Sequence, residues 1–199
     1  PKNFSNFYQG ETTLIESFKS SSNIVPIKIS YKFGLKKIVN LANKFGINYK
    51  KDLSYYLPIA IGAYGDSLFN ITNAYSIINN KGQLIKPSII KTIKSKNNQI
   101  IWINKFKTKK IIDKEIANKL NNLLEKSVES GTGIAASING RKILGKTGTS
   151  DLNRDLWFIG SIKNLTTGIW IGFDDNRATN FSSGTSANFW RTYIESIDM

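Results

Sequence analysis

Cysteine and histidine are both absent from this chain of 199 residues. Without them, thiol catalysis, disulfides and Cys/His metal sites are excluded. A Ser-His-Asp triad within the chain is excluded for the same reason. Any general base must be Lys, Asp, Glu or a Ser relay, which narrows the enzyme classes at once. Long apolar runs are also missing: none approaches the roughly 18 to 20 residues needed to span a bilayer. No charged region followed by an apolar stretch opens the chain, so it carries no signal peptide. It starts on Pro1-Lys2-Asn3, with no initiator Met, and reads as a piece of something longer.

Arginine is scarce, supplying four of the 28 basic residues, while the net charge is +14. The lysines are spread along the chain, so the charge reads as a lysine-covered surface and not as a nucleic-acid footprint. Attraction to an anionic membrane leaflet or an acidic wall polymer is the secondary reading. Apolar residues make up 40% and aromatics 12%, enough for one globular domain or a large piece of one. A Cys-free chain is compatible with an oxidising envelope compartment.

Hydrophobic periodicity predicts a helical first part. Thr12 to Lys19 has helical spacing with Thr12 or Thr13 as cap. Val25 to Phe33 reads as a short helix closed by Gly34. Leu35 to Phe45 is amphipathic, with Leu35, Ile38, Val39, Leu41 and Ala42 on one face. Ser67 to Ile78 is a further helix, and Asp113 caps another through about Glu129, with Ile116, Leu120, Leu123 and Leu124 inward. Between them, Ser88–Ile93 and Gln99–Ile103 read as a hairpin turning at Ser95-Lys96-Asn97-Asn98. Ile143–Thr149, Trp157–Ser161 and Gly168–Phe173 are strand candidates, and Phe189 to Ile197 is a closing helix. The fold class is therefore α+β: helices first, then an antiparallel sheet with a terminal helix packed on it.

The chemical signal is Lys146-Thr147-Gly148-Thr149-Ser150, set between Ile143-Leu144-Gly145 and the run Leu156-Trp157-Phe158-Ile159-Gly160. Lys-Thr-Gly is one of three short motifs of penicillin-interacting serine acyltransferases. Alone it is weak in so lysine-rich a chain. Upstream stands Tyr8-Gln9-Gly10, then Thr12-Thr13-Leu14 and Ser21-Ser22-Asn23 followed by Val25-Pro26. Asn73-Ala74-Tyr75, Asn80-Lys81-Gly82 and Gly131-Thr132-Gly133 come before the lysine motif. Asn153-Arg154-Asp155, Trp170-Ile171-Gly172, Asp174-Asp175, Ser183-Gly184-Thr185 and Trp190 come after it. In this order the series resembles the C-terminal part of a penicillin-binding protein transpeptidase domain, most like the class A bifunctional kind, over essentially the whole chain.

The resemblance implies the β-lactamase/transpeptidase-like fold and acyl transfer through a serine. The donor and acceptor would be peptidoglycan stem peptides ending in D-Ala-D-Ala, and β-lactams would inhibit. No metal or organic cofactor is implied. Ser21 would relay a proton to the leaving D-alanine nitrogen, and Asn23 would set its amide against the substrate backbone or the catalytic lysine. Lys146 would hold its ammonium near Ser21 and supply positive potential. Thr147 and Thr149 would offer hydroxyls to the terminal carboxylate, and the backbone N–H of Thr149 would form one arm of the oxyanion hole. Gly148 would leave room for a peptide to lie beside the strand.

Blander readings exist for each residue. Ser21 and Asn23 could cap the helix starting near Ile24, and Lys146 could be a solvated strand-end lysine. Asp155 suits a turn or an ion pair as well as catalysis. Trp157, Phe158, Trp170 and Trp190 read as core, and Asp174-Asp175 as a solvated turn, not a metal pair.

The family's first motif, Ser-x-x-Lys, should open a buried helix. Its single match here is Ser88-Ile89-Ile90-Lys91, in a strand-like context after Pro87. A strand cannot put i and i+3 on one side, so this match is a decoy. The resemblance puts the true motif before Pro1, together with a membrane helix and a glycosyltransferase domain, and the chain alone is expected to be inactive. It also implies an envelope location, on the outer face of the inner membrane. The alternatives are a D,D-carboxypeptidase or serine β-lactamase of the same fold, and a non-catalytic wall-binding pseudoenzyme. A DNA-binding module is a remote further one.

Overall fold

The computed structural model describes residue 3, residues 10–49 and residues 56–197. Tyr8 and Gln9, the start of the resemblance, lie outside the described residues. Among the described residues six α-helices and seven strands follow in chain order, helices first. Helices α1 (Leu14–Lys19), α2 (Ile24–Phe33) and α3 (Leu35–Lys44) come first. Thr13 caps α1, its hydroxyl accepting from the Glu16 N–H, and Gly34 ends α2 in a positive-φ conformation that suits glycine. Leu35 and Val39 of α3 pack with Ile59 of a short 3-10 helix, Leu57–Ile61, into a small satellite core. Leu41, expected on that face, is 46% exposed.

Helix α4 (Leu68–Asn79) starts at Ser67, whose side chain accepts from the Asn70 N–H. Two small antiparallel pairs follow. β1 (Gln83–Ile85) pairs with β4 (Thr108–Lys110), and β2 (Thr92–Lys94) pairs with β3 (Ile100–Ile103). The hairpin is where periodicity put it, but its first strand is shorter. Ser88 to Lys91 are neither strand nor helix, and the Ser88 hydroxyl turns back on Ile90, accepting from its N–H and donating to its carbonyl. The Ser88/Lys91 match to the nucleophile motif thus has no helix to stand on.

Helix α5 (Lys114–Ser130) buries Ala117, Leu124, Ser127 and Val128, while Ile116 is 48% exposed. Of the expected stripe Leu124 is buried and Ile116 is not, and the small residues Ala117 and Ser127 face inward beside it.

The main sheet has the order β5-β6-β7 and is antiparallel: β5 (Leu144–Thr149), β6 (Asp155–Ile162) and β7 (Leu165–Gly172). Helix α6 (Ser183–Ser196) packs on it and reaches back well before Phe189, because Ser186 and Ala187 are fully buried small residues without apolar periodicity. The core joins Val128, Ala136, Ile143, Phe158, Trp190 and Ile194. Phe158 and Trp190 meet edge to face at 5.4 Å, and the Trp190 indole N–H donates to the Thr167 hydroxyl. Trp170, by contrast, is 37% exposed and not core.

Candidate active site

Helix α1 ends in a way that aims one serine at β5. The Ser22 N–H donates to the Ser17 carbonyl at 2.9 Å and the Ser21 N–H to Phe18 at 3.1 Å. This is the Schellman arrangement, in which the residue after the cap takes a left-handed conformation and is usually glycine. Here that residue is Ser21, with φ of 53°. Holding a serine there costs on the order of 1 kcal/mol.

Its neighbour handles the local backbone. Ser22 Oγ accepts from the Ile24 N–H at 3.3 Å and donates to Asn3 Oδ1 at 3.4 Å. Asn23 is the N-cap residue of α2 but makes no side-chain cap bond, and its N–H donates to Asn3 Oδ1. The capping role that Ser21 and Asn23 could have filled falls to Ser22.

Ser21 Oγ instead accepts a 2.7 Å hydrogen bond from Lys146 Nζ on β5. The same ammonium reaches the Thr147 carbonyl at 3.2 Å and stands 5.8 Å from the centroid of the Phe18 ring. Among the described residues no carboxylate pairs with Lys146. Burial without a compensating anion pushes its pKa from 10.5 down to about 8. Part of the Lys146 population is therefore neutral amine near neutral pH, so the side chain can take a proton from a hydroxyl as well as hold one.

The remaining motif residues lie along β5. Thr147 is 8% exposed, and its hydroxyl is 2.6 Å from that of Thr132 on the turn after α5. The Thr132 N–H donates to the Lys19 carbonyl at the end of α1. Gly131 lies so close to α1 that a Cβ there would come within 2.7 Å of the Lys19 carbonyl oxygen and 2.8 Å of that of Ser127. Thr132 was visible in the sequence only as the centre of Gly131-Thr132-Gly133; nothing local signals that its hydroxyl meets Thr147.

Gly148 has a packing reason besides room for a peptide: a Cβ would lie 3.2 Å from that of Trp157 on the paired strand. Thr149 is exposed at the end of β5. Among the described residues β5 pairs only with β6, so its other edge is free to take an added strand.

Asp155 takes the turn role. It accepts from the Ser150 hydroxyl and the Trp170 indole N–H, while its own N–H donates to Ser150 Oγ. Asp175 pairs with Arg177 at 3.7 Å, and no group of three or more potential metal-ligating side chains occurs among the described residues. A cavity of about 820 Å³, lined by Asn79, Asn121, Glu125, Lys142 and Lys163 among others, includes neither Ser21 nor Lys146. The candidate site is the open cleft between α1 and β5.

Comparison with known proteins agrees with this geometry. The family model for the penicillin binding protein transpeptidase domain matches residues 2–192. Penicillin-binding protein 1A of Rickettsia typhi is 32% identical over 197 residues, covering 87% of this chain and 25% of the relative. Penicillin-binding protein 1A of Aquifex aeolicus is 29% identical, covering 99% and 27%. The chain thus spans about a quarter of the length of these curated relatives. The crystal structure of penicillin-binding protein 1A from Haemophilus influenzae superposes with a TM-score of 0.87 at 25% identity, over 99% of this chain and 36% of that one. An imipenem acyl-enzyme complex of penicillin-binding protein A from M. tuberculosis shares the fold, with a TM-score of 0.83 at 17% identity, over 98% and 50%. The cleft that joins Ser21 to Lys146 therefore sits in a chain that belongs to the penicillin-binding protein transpeptidase domain family.

Proposed function

We propose that this chain carries the proton-relay and substrate-docking side of a serine D,D-transpeptidase that cross-links peptidoglycan stem peptides, within a class A type murein synthase. The observation that carries the reading is the 2.7 Å contact of Ser21 with Lys146, a lysine whose pKa is lowered to about 8. A Ser hydroxyl backed by a partly neutral lysine does the work that His does elsewhere.

In this reading the nucleophilic serine comes from the family's Ser-x-x-Lys motif, N-terminal to Pro1. Its oxygen attacks the carbonyl of the penultimate D-alanine as its proton passes to the lysine of the same motif. The peptide C–N bond breaks, and the departing D-alanine nitrogen takes its proton from Ser21, which Lys146 reprotonates. An amine of a second stem peptide then attacks the acyl-serine and the ester C–O bond breaks; the amine's proton returns to Lys146 through Ser21, and the motif lysine hands its proton back to the departing serine. The Thr149 N–H stabilises the oxyanion in both steps, and the Thr147 and Thr149 hydroxyls hold the terminal carboxylate of the donor. Asn23 orients the peptide along the free edge of β5. A β-lactam enters as a mimic of D-Ala-D-Ala and remains as the acyl-enzyme.

In this reading the site works on the outer face of the inner membrane, where its substrate would lie. No described helix is long and apolar enough to cross a membrane.

The test is cross-linking by the full-length protein on stem-peptide substrate, with D-alanine release and peptide dimers both measured. Dimers that vanish in Ser21→Ala and Lys146→Ala support transpeptidation. D-alanine release without dimers favours a carboxypeptidase, and neither product favours a wall-binding pseudoenzyme.

A further inference from the structure

The Ser21–Lys146 contact belongs to a closed circuit that runs through a residue outside the three motifs. From Ser21 the chain runs back two residues to Lys19, whose carbonyl accepts from the Thr132 N–H at 3.1 Å. The Thr132 hydroxyl meets the Thr147 hydroxyl at 2.6 Å. Thr147 adjoins Lys146, whose ammonium returns to Ser21 at 2.7 Å. Three hydrogen bonds thus close a ring around the cleft, and Thr132 supplies two of them, one from its backbone and one from its side chain.

Two features show that this turn is built to sit where it does. Gly131 permits an approach to α1 that any Cβ would block. The Gly133 N–H donates to the Ser127 carbonyl at 3.0 Å, fixing the turn to the end of α5. The Thr132 side chain is consequently held at a set distance from both α1 and β5.

A hydroxyl pair has one shared proton direction. Each hydroxyl donates once and accepts up to twice. If Thr147 donates to Thr132, its own proton is spent inside the turn. If Thr132 donates to Thr147, the Thr147 proton is free to point at an anion.

We propose that Thr132 is a positioning residue for acyl transfer: it clamps the Ser21 loop to β5, and it donates its proton to Thr147 so that the Thr147 hydroxyl can donate to the substrate's terminal carboxylate. This inference rests on the transpeptidase reading above. An anion in the cleft selects the donating direction, and the clamp keeps Ser21 and Lys146 in register while it does so.

The experiment uses the full-length protein and measures the second-order rate of acylation by penicillin G and by its methyl ester, which has no carboxylate charge. Thr132→Val removes the hydroxyl and keeps the shape. It should slow acylation by penicillin G about tenfold, the equivalent of one lost hydrogen bond, and slow the ester by about twofold or less. Thr132→Ser keeps the hydroxyl and should restore the rate to within about twofold of wild type, as expected if the hydroxyl and not the methyl matters. The loss in Thr132→Val should fall on half-saturation as well as on the limiting rate, and the inflection of its pH profile should rise as water reaches Lys146. Thr132→Ala, which makes no demand for a branched side chain, gives the same reading should the Val variant fail to fold.

Wild-type acylation in a folded hydroxyl-free variant would overturn the inference, as would a Ser variant as slow as Val or equal losses with acid and ester. No acylation of the wild-type protein at all would instead overturn the transpeptidase reading on which it rests.

Discussion

Ser21 accepts a 2.7 Å hydrogen bond from Lys146, 125 residues further along the chain, while its own backbone sits at φ of 53°. The serine is thus placed where the end of α1 would be better served by glycine. Fold and site pull in different directions at this position.

Replacing Ser21 separates the two. Ser21→Gly should leave stability unchanged or raise it by up to about 1 kcal/mol, since relief of the left-handed strain opposes the added unfolded-state entropy. Ser21→Ala keeps the strain, should not stabilise, and loses the hydroxyl. Both should lose cross-linking activity. Urea unfolding alongside the activity assay checks this; a Gly variant destabilised by more than about 1 kcal/mol would show that Ser21 is needed for folding.

Lys146 predicts the pH dependence. Its pKa is lowered by burial to about 8, so the neutral amine grows as pH rises through that value. Acylation, in which Lys146 reprotonates Ser21, uses the ammonium and should fall as pH rises through about 8, and Lys146→Arg, which cannot release the proton, should abolish both rate and inflection. Stability follows the same group. Between about 8 and 10.5 the unfolded chain binds the proton that the folded chain has released, so the stability contribution of Lys146 rises with pH across that window. Below about 8 the folded state carries the cost of a buried ammonium. Lys146→Met should flatten the slope and stabilise the protein at pH 7, as denaturation at several pH values would measure.

The contact of Gly160 with α6 gives a packing test. A Cβ at Gly160 would come within 2.5 Å of the Trp190 ring and 2.7 Å of Phe158. Gly160→Ala should cost about 1–3 kcal/mol by overpacking. Trp190→Phe loses ring area and the indole hydrogen bond to Thr167, but makes room. The double variant should therefore lose less than the sum of the two singles, and a strictly additive result in thermal unfolding would contradict the contact.

Elements with a long apolar period were legible in the sequence: α1 with its Thr13 cap, α4, and the three strands around Lys146. β1 and β4 were not, because three-residue strands such as Thr108-Lys109-Lys110 are exposed and leave no alternation to read. The start of α6 was hidden because Ser186 and Ala187 pack by being small. On the inward face of α5, Leu124 is buried as its period implies, but Ile116 is exposed while the small Ala117 is fully buried. At the site, the resemblance to the transpeptidase family named Ser21 and Lys146 as candidates, but the left-handed backbone at Ser21 carries no glycine to announce it. The hydroxyl pair of Thr132 and Thr147 joins two segments fifteen residues apart and exists only once α5 and β5 have packed.

The most direct test of the central claim is intact mass of the full-length protein after incubation with penicillin, with Lys146→Ala alongside. The account predicts one penicilloyl adduct on the wild-type protein, on a serine outside residues 1–199, and little or none on the variant. No adduct on a folded wild-type protein, or an equal adduct on Lys146→Ala, would contradict it and leave the Ser21–Lys146 contact as a structural hydrogen bond.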